Sequence, residues 1–335
     1  MKTLDNYKRS KIFLFILIVL FVTLAFFSIN IGYVPLTFER TLSTIFGRGD
    51  EQENLLVWVV RMPRTFVCLI VGICLSIAGA VMQGVTRNAL ATPSMIGINS
   101  GASLAILIII YLNEKGLGYI MPMPLVATVG GILTFTLVYF LALKFELSPV
   151  KLILNGIAIN SCLGAINLLL TMKLSEAAYE MRAIVLGGSV TYASWDMIIL
   201  SILIMTPFII YIIYKAFHLN ILNLGDEIAI GLGISLKKER RKLLYTTVIL
   251  SSISAYIAGG ISFIGMVAPH IAKRLVGANF KLFMPLSIFI GANLVLFADI
   301  LARILVNNGQ FVPIGTLISI VGAPYLIYLL FSDDR

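Results

Sequence analysis

Long apolar runs recur along the chain, separated by short polar intervals. About 20 apolar residues in a helix span the roughly 30 Å of hydrocarbon in a bilayer. The pattern predicts membrane-crossing helices over 12–31, 62–84, 94–112, 121–143, 150–172, 195–216, 239–265, 282–303 and 314–331. A further segment, 267–276, is too short and too polar for hydropathy alone to assign.

Charge arbitrates the orientation, because Lys and Arg collect in cytoplasmic loops. The interval between the sixth and seventh runs holds Lys215, Lys237, Lys238, Arg240, Arg241 and Lys242, the strongest such signal in the chain. With that interval inside, the N-terminal Lys2, Lys8, Arg9 and Lys11 also lie inside, as do Arg87, Lys144 and Lys151. Nine crossings would leave Lys273, Arg274 and Lys281 outside. Counting 267–276 as a short tenth crossing returns them to the cytoplasm together with Arg335. Arg40, Arg48, Arg61, Arg64, Lys115, Lys173, Arg182 and Arg303 remain outside. The expectation is an all-α polytopic membrane protein: one domain over 1–335, ten transmembrane helices, both termini cytoplasmic.

Composition agrees. The chain is 59% hydrophobic and 12% charged, with a mean hydropathy of +1.00, against about 45–50% and about 25% in soluble proteins. A net charge of +9 would suggest nucleic acid for a soluble protein. Here the inside loops account for it, and no nucleic-acid partner is expected. Cys68, Cys74 and Cys162 sit in apolar runs at no disulfide or metal spacing. With His218 and His270 as the only histidines, no metal centre and no cofactor are expected. The first run is too long for a signal-peptide core and no small-x-small site follows it, so it reads as a retained helix.

Two segments look alike. "MPLVATVGGILTFTLVYFLALKF" starts at Met123 and "MPLSIFIGANLVLFADILARILV" at Met284, with Gly130 and Gly291 each six residues after the proline. Short, interrupted segments precede both, "TPSMIGINSGASLAI" and "APHIAKRLVG". In the ten-helix topology the two halves run in opposite directions. Inverted repeats with broken helices at matching positions mark transporters.

No G-x-x-x-x-G-K-S/T, G-x-S-x-G or H-E-x-x-H occurs, so the chain neither cradles ATP in a P-loop nor matches those hydrolase motifs. Asp299 is the clearest ionisable residue within a span, and Arg303 lies one turn later, where the two can pair. An ion-driven carrier needs carboxylates near mid-membrane, and Asp299 alone is thin support for one. A partner must then supply the energy. "LNLGDEIAIGLGIS", within the cytoplasmic segment 220–235, offers a docking element. Asp226 and Glu227 suit a helix N-terminus, and Gly231 and Gly233 suit its end. Such a helix fits a groove of another subunit or equally the lipid surface. In "RMPR", Arg61 and Arg64 bracket Pro63 with no obvious acid nearby. The proline suits a helix start, and snorkelling to headgroups is the plain alternative role for the arginines.

Taken together, "RMPR", "AGAVMQGVTRNALATPSMIGINSGAS", "GDEIAIGLGIS", "GGISFIGMVAPHIAKRLVG", "MPLSIFIGANLVLFADILAR" and "VPIGTLISIVGAPYLIYLL" resemble the FecCD-type permeases of type II ABC importers, which carry ferric siderophores, haem and cobalamin. The resemblance runs from about Arg61 to Leu330. It implies ten helices in a bacterial cytoplasmic membrane, a second permease subunit (same or homologous), two cytoplasmic ATP-binding-cassette subunits and an extracytoplasmic substrate-binding protein. It further implies that Leu222–Ser235 (Leu222, Asp226, Glu227, Ala229, Gly231 and Gly233 in particular) couples to the ATPase. Arg61, Arg64 and Arg303 match the family's docking arginines for acids on the binding protein. The chain departs from the family at Arg87-Asn88-Ala89-Leu90-Ala91-Thr92-Pro93, which loses a proline and an acid, at Phe311 in place of an acid, and at Lys273 in place of an arginine.

In that reading ATP hydrolysis belongs to the partner and this chain is not an enzyme. The translocation path lies between two permeases, where Asn155, Asn160, Ser161, Gly187, Gly188 and Ser189 offer a weakly binding wall. Small residues equally serve close helix packing. The competing reading is an ion-coupled secondary transporter using Asp299. A ferric siderophore is the expected cargo as the family's commonest substrate.

Overall fold

The computed structural model describes residues 2–332 apart from 33, 35, 119–122, 144–148, 176–185 and 306–311. Positions 121–122, Lys144, Arg182, Phe311 and Arg335, used above, lie outside the described residues. In chain order the helices are α1 (Lys2–Asn30), α2 (Phe38–Ile45), α3 (Glu51–Thr86), α4 (Ile98–Glu114), α5 (Met123–Leu143), α6 (Pro149–Thr171), α7 (Trp195–Leu224), α8 (Asp226–Gly231), α9 (Leu236–Ala258), α10 (Ile264–Val276), α11 (Phe280–Leu305) and α12 (Ile314–Ser332). No strand occurs among the described residues.

Six of these helices, α1, α3, α5, α6, α7 and α11, are long and apolar enough to cross a membrane among the described residues, and α4 and α12 are shorter apolar helices. The chain is an all-helical, polytopic membrane protein. α9 is less apolar, because Lys237, Lys238, Glu239, Arg240, Arg241 and Lys242 fill its first turns.

Several helices outrun the apolar runs that predicted them. Backbone bonding from residue i to i−4 does not stop where hydropathy stops. α1 continues back through Arg9 and Lys8, and α7 continues past Lys215 to Leu224. The largest difference is at 62–84. That helix does not begin at the RMPR proline but at Glu51, behind an Asp50–Glu53 capping box in which each side chain accepts the other residue's backbone N–H. Leu55–Arg61 is wound as a π-helix, and the Met62 N–H bonds back to the Val57 carbonyl. The wider turn lets Pro63, which has no N–H to donate, sit inside a continuous helix. Conversely, the run over 239–265 is cut. α9 ends at Ala258, Gly259 turns at φ +69°, and α10 starts at Ile264.

α3 is the hub, packed by α7, α9, α10 and α11 and buried over most of its length. Small residues permit the crossings. A Cβ on Gly79 would collide with the Gly265 carbonyl of α10, and one on Gly72 with the Ala292 backbone of α11. Close approach of this kind is how helices gain packing energy where lipid is as apolar as the side chains.

The two look-alike helices occupy reciprocal positions. α5 packs on α4 and α9, while α11 packs on α10 and α3. Each therefore lies against the short helix of its own half and the long helix of the other. Gly131 of α5 abuts Ser252 of α9, and Gly291 of α11 abuts Ser76 of α3. The register differs slightly, since α5 starts at Met123 whereas α11 starts at Phe280, four residues ahead of Met284. Apolar side chains stand exposed on α1 (Phe15, Val22), α6 (Leu154, Leu169) and α7 (Leu203, Ile213), faces that suit lipid or a partner helix.

Candidate functional site

Polar clusters sit at two levels of α3, one inside its N-terminal half and one at its C-terminal end. In the first, the helical period puts Arg61 and Arg64 on one face of α3, toward α11 and the last turn of α1. Asp299 of α11 is fully buried. Its Oδ1 accepts from Arg64 Nη2 at 2.9 Å, and its Oδ2 accepts from Arg303 Nε at 2.9 Å and also from Arg303 Nη2. Arg303 Nη1 donates to the Ser28 carbonyl at 2.7 Å and the Ile31 carbonyl at 3.2 Å. Arg61 Nη1 donates to the carbonyls of Ile29 at 2.6 Å and Asn30 at 3.2 Å, and Nη2 to that of Val34. The last carbonyls of a helix have no partner within it and form the negative end of its dipole. Two guanidinium groups thus cap α1.

RMPR therefore does not present two unpartnered charges outward. Arg61 is only 4% exposed and holds carbonyls, and Arg64 has an acid, 235 positions away in the chain. Both lie well inside a long helix rather than at its positive end. Asp299 and Arg303 make the i,i+4 pair that their spacing suggests. Arg64 and Arg303 share the one carboxylate and Arg61 lies beside them on carbonyls, so the cluster is net positive. Arg64 Nη2 also reaches Thr191 Oγ1 at 3.3 Å, and Arg64 Nε is buried with no hydrogen-bond partner among the described residues.

At the C-terminal end of α3 lies α8, the expected coupling element. Glycine flanks it on both sides, Gly225 at φ +130° and Gly233 at φ +80°. The N–H groups of Leu232, Gly233 and Ile234 close its last turn on Ile228, Ile230 and Ala229 carbonyls. Leu222 and Ala229 are buried; Glu227, Ile228, Ile230, Gly231, Leu232 and Gly233 are exposed. Asp226 is ion-paired, with its side chain 42% exposed. Its Oδ1 accepts from Arg240 Nη2 at 2.7 Å and is paired with Arg87 Nη2. Arg87 Nε donates to the Leu222 carbonyl at 3.1 Å. Burial first, and Arg240 second, lower the pKa of Arg87 from its ordinary value. The roles of Arg87 and Arg240 escaped the sequence, since both read there simply as inside charges. Ion pairing also separates the two acids: Asp226 is held by Arg87 and Arg240, and Glu227 is exposed.

The candidate path residues fall in two places. On α6, Asn160 Oδ1 accepts from Ser100 Oγ at 2.7 Å and its backbone lies against Gly97, Asn155 is half-buried, and Ser161 is exposed. Gly188 and Ser189 are buried in a backbone junction: the Ser189 N–H bonds the Ala258 carbonyl and the Ile314 N–H bonds the Gly188 carbonyl, both at 2.9 Å. Gly187 abuts Pro313. This second group joins the end of α9 to the start of α12, the close-packing role that small residues serve.

The FecCD transport family model matches residues 17–332. The chain belongs to the FecCD transport family. The iron(3+)-hydroxamate import system permease protein FhuG of Bacillus subtilis is 38% identical to this FecCD chain over 340 residues, covering 100% of both. The iron-uptake system permease protein FeuC of the same organism is 35% identical over 325 residues, covering 95% of this chain and 96% of the relative. Among solved structures, a metal-chelate-type ABC transporter in an inward-facing conformation superposes with a TM-score of 0.78 at 26% identity, covering 95% and 98%. As a FecCD member the chain is a transport permease and not an enzyme. Asp299 is poorly placed for the ion-coupled alternative: both its oxygens are held by guanidinium donors.

Proposed function

We propose that this chain forms the membrane path of a binding-protein-dependent ABC importer for a ferric siderophore or a related haem or cobalamin complex. It crosses the bacterial cytoplasmic membrane ten times, both termini inside, as two inverted halves. It pairs with a second permease, of the same or a homologous sequence, above two cytoplasmic ATP-binding-cassette subunits and below an extracytoplasmic substrate-binding protein. One observation carries the reading: relatives aligned over almost their whole length are named as iron import permeases.

The spacing of the two clusters supports the assignment of sides. From Arg64 to Arg87, α3 rises about 35 Å at 1.5 Å per residue, a little more than the roughly 30 Å of hydrocarbon in a bilayer. The Asp299 cluster then belongs to the outer face and α8 to the cytoplasmic face. Arg64 offers its remaining donors to an acid on the binding protein, while Arg61 holds the end of α1 together with Arg303, whose five N–H groups all have acceptors. Asn155, Asn160 and Ser161 face the path. ATP-driven closure of the ATPase subunits moves α8, and transport follows because the ATPase states bind the two permease conformations with different affinity.

The test is uptake of a radioiron-loaded siderophore into proteoliposomes holding the permease, ATPase and binding protein. Uptake should stop with vanadate and persist with an uncoupler. Uptake that survives vanadate and stops with the uncoupler would establish the ion-coupled reading instead.

A further inference from the structure

We infer that Arg87 is a positioning residue that ties the coupling helix to α3, and that α3 carries the displacement of α8 across the membrane to the Asp299 cluster. This deepens the importer reading and rests on it. The covalent connections of α8 are soft. Gly225 links it to α7 and Gly233 leads out of it, both at positive φ, and neither would meet anything within 4 Å if it bore a Cβ. A push on α8 transmitted through those joints alone would be absorbed by backbone rotation. The stiff connection is the carboxylate of Asp226, held by Arg87 from the end of α3 and by Arg240 from the start of α9. Arg87 also fastens the end of α7 through the Leu222 carbonyl, so one side chain joins α3, α7 and α8.

The backbone at Arg87 points the same way. Arg87 caps α3 in the left-handed conformation, φ 51° and ψ 33°, where helices usually place glycine or asparagine. Only Phe263 shares a positive φ among the described non-glycine residues. An L-residue there is disfavoured, and the side chain supplies what glycine would lack. From Arg87, α3 runs back without interruption to Glu51 and presents Arg64 to Asp299 on the way. A single buried helix therefore links the element facing the ATPase to the element facing the binding protein.

Arg87→Gly separates the two roles of the residue, because it relieves the backbone and deletes the link. The measurements are made on the complete importer in proteoliposomes: co-purification of the ATPase, and ATP hydrolysis with and without loaded binding protein. Arg87→Gly should keep the complex assembled, lower the ratio of stimulated to unstimulated hydrolysis at least tenfold, and lower uptake in parallel. Arg87→Lys should recover part of the ratio, because it restores the charge. Asp226→Asn should also lower the ratio, and the double variant should lower it by less than the two single effects combined, as for residues that share a contact. A wild-type ratio in Arg87→Gly, or loss of the ATPase from the complex, would overturn the inference while leaving the importer reading intact. Failure of that reading is distinguishable, since the wild-type complex would then show no vanadate-sensitive uptake.

Discussion

Replacing Asp299 by asparagine tests the outer cluster most directly. The substitution keeps the volume and one carbonyl oxygen but removes the charge shared by Arg64 and Arg303. Their side chains are 14% and 9% exposed, so water screens them poorly. Removing one partner of a buried pair costs about 3–5 kcal/mol, because the remaining charge stays desolvated. The negative end of the α1 dipole offsets little of this. Its stabilisation of a cation reaches at most about 2 kcal/mol, and Arg61 and Arg303 already draw on it in the unsubstituted protein. At about 2–4 °C per kcal/mol for a large domain, the unfolding midpoint should fall by about 6–20 °C. The assay is thermal unfolding of the purified permease in detergent, at one fixed scan rate and followed by tryptophan fluorescence. A midpoint within about 2 °C of the unsubstituted protein would refute the reasoning and mean that Arg64 and Arg303 are solvated enough to stand alone.

Three further outcomes are expected. Gly79→Ala drives a methyl into the Gly265 carbonyl and should cost roughly 1–3 kcal/mol or more by overpacking; Gly164→Ala meets nothing within 4 Å and should be neutral or stabilise its helix by up to about 1 kcal/mol, with the two compared by the same thermal assay. Glu227→Lys should weaken co-purification of the ATPase at unchanged permease yield, because Glu227 is exposed and Asp226 is not free to dock; full retention of the complex would remove α8 as a contact. Arg61→Glu points a carboxylate at the carbonyls of Ile29, Asn30 and Val34 and should cut the yield of folded protein, whereas Arg61→Lys should largely keep it; equal yields in a membrane-fraction immunoblot would place Arg61 back among purely docking residues.

Much of the helical layout is legible along the chain, because a lipid-facing helix must advertise itself as an apolar run. What is not legible is where each helix stops being apolar without ceasing to be helical. Lys8–Lys11 and Glu51–Asn54 are cases, since backbone bonding and hydropathy obey different rules there. Local chemistry was equally readable: Asp299 and Arg303 are four apart and pair, and Asp226 and Glu227 open a short helix. The partners of Arg64 and Arg87 were hidden because they come from α11 and α8, distant in sequence. The same holds for the serines that fill the α3–α11 and α5–α9 crossings. Ser76 and Ser252 gain their meaning only when Gly291 and Gly131 arrive opposite them.

α8 has one more consequence, for how the protein is made. Ile228 and Ile230 stand exposed on a six-residue helix, with Leu232 just past its end and Leu224 just before it, a greasy tip on an otherwise charged loop. Such a tip is comfortable only when covered. If α8 docks on an ATPase as proposed, a permease synthesised in excess of that partner would display a hydrophobic degron-like patch to the cell's proteases and chaperones. Subunit stoichiometry is expected to be enforced after translation, with the orphan chain turned over faster than the assembled one.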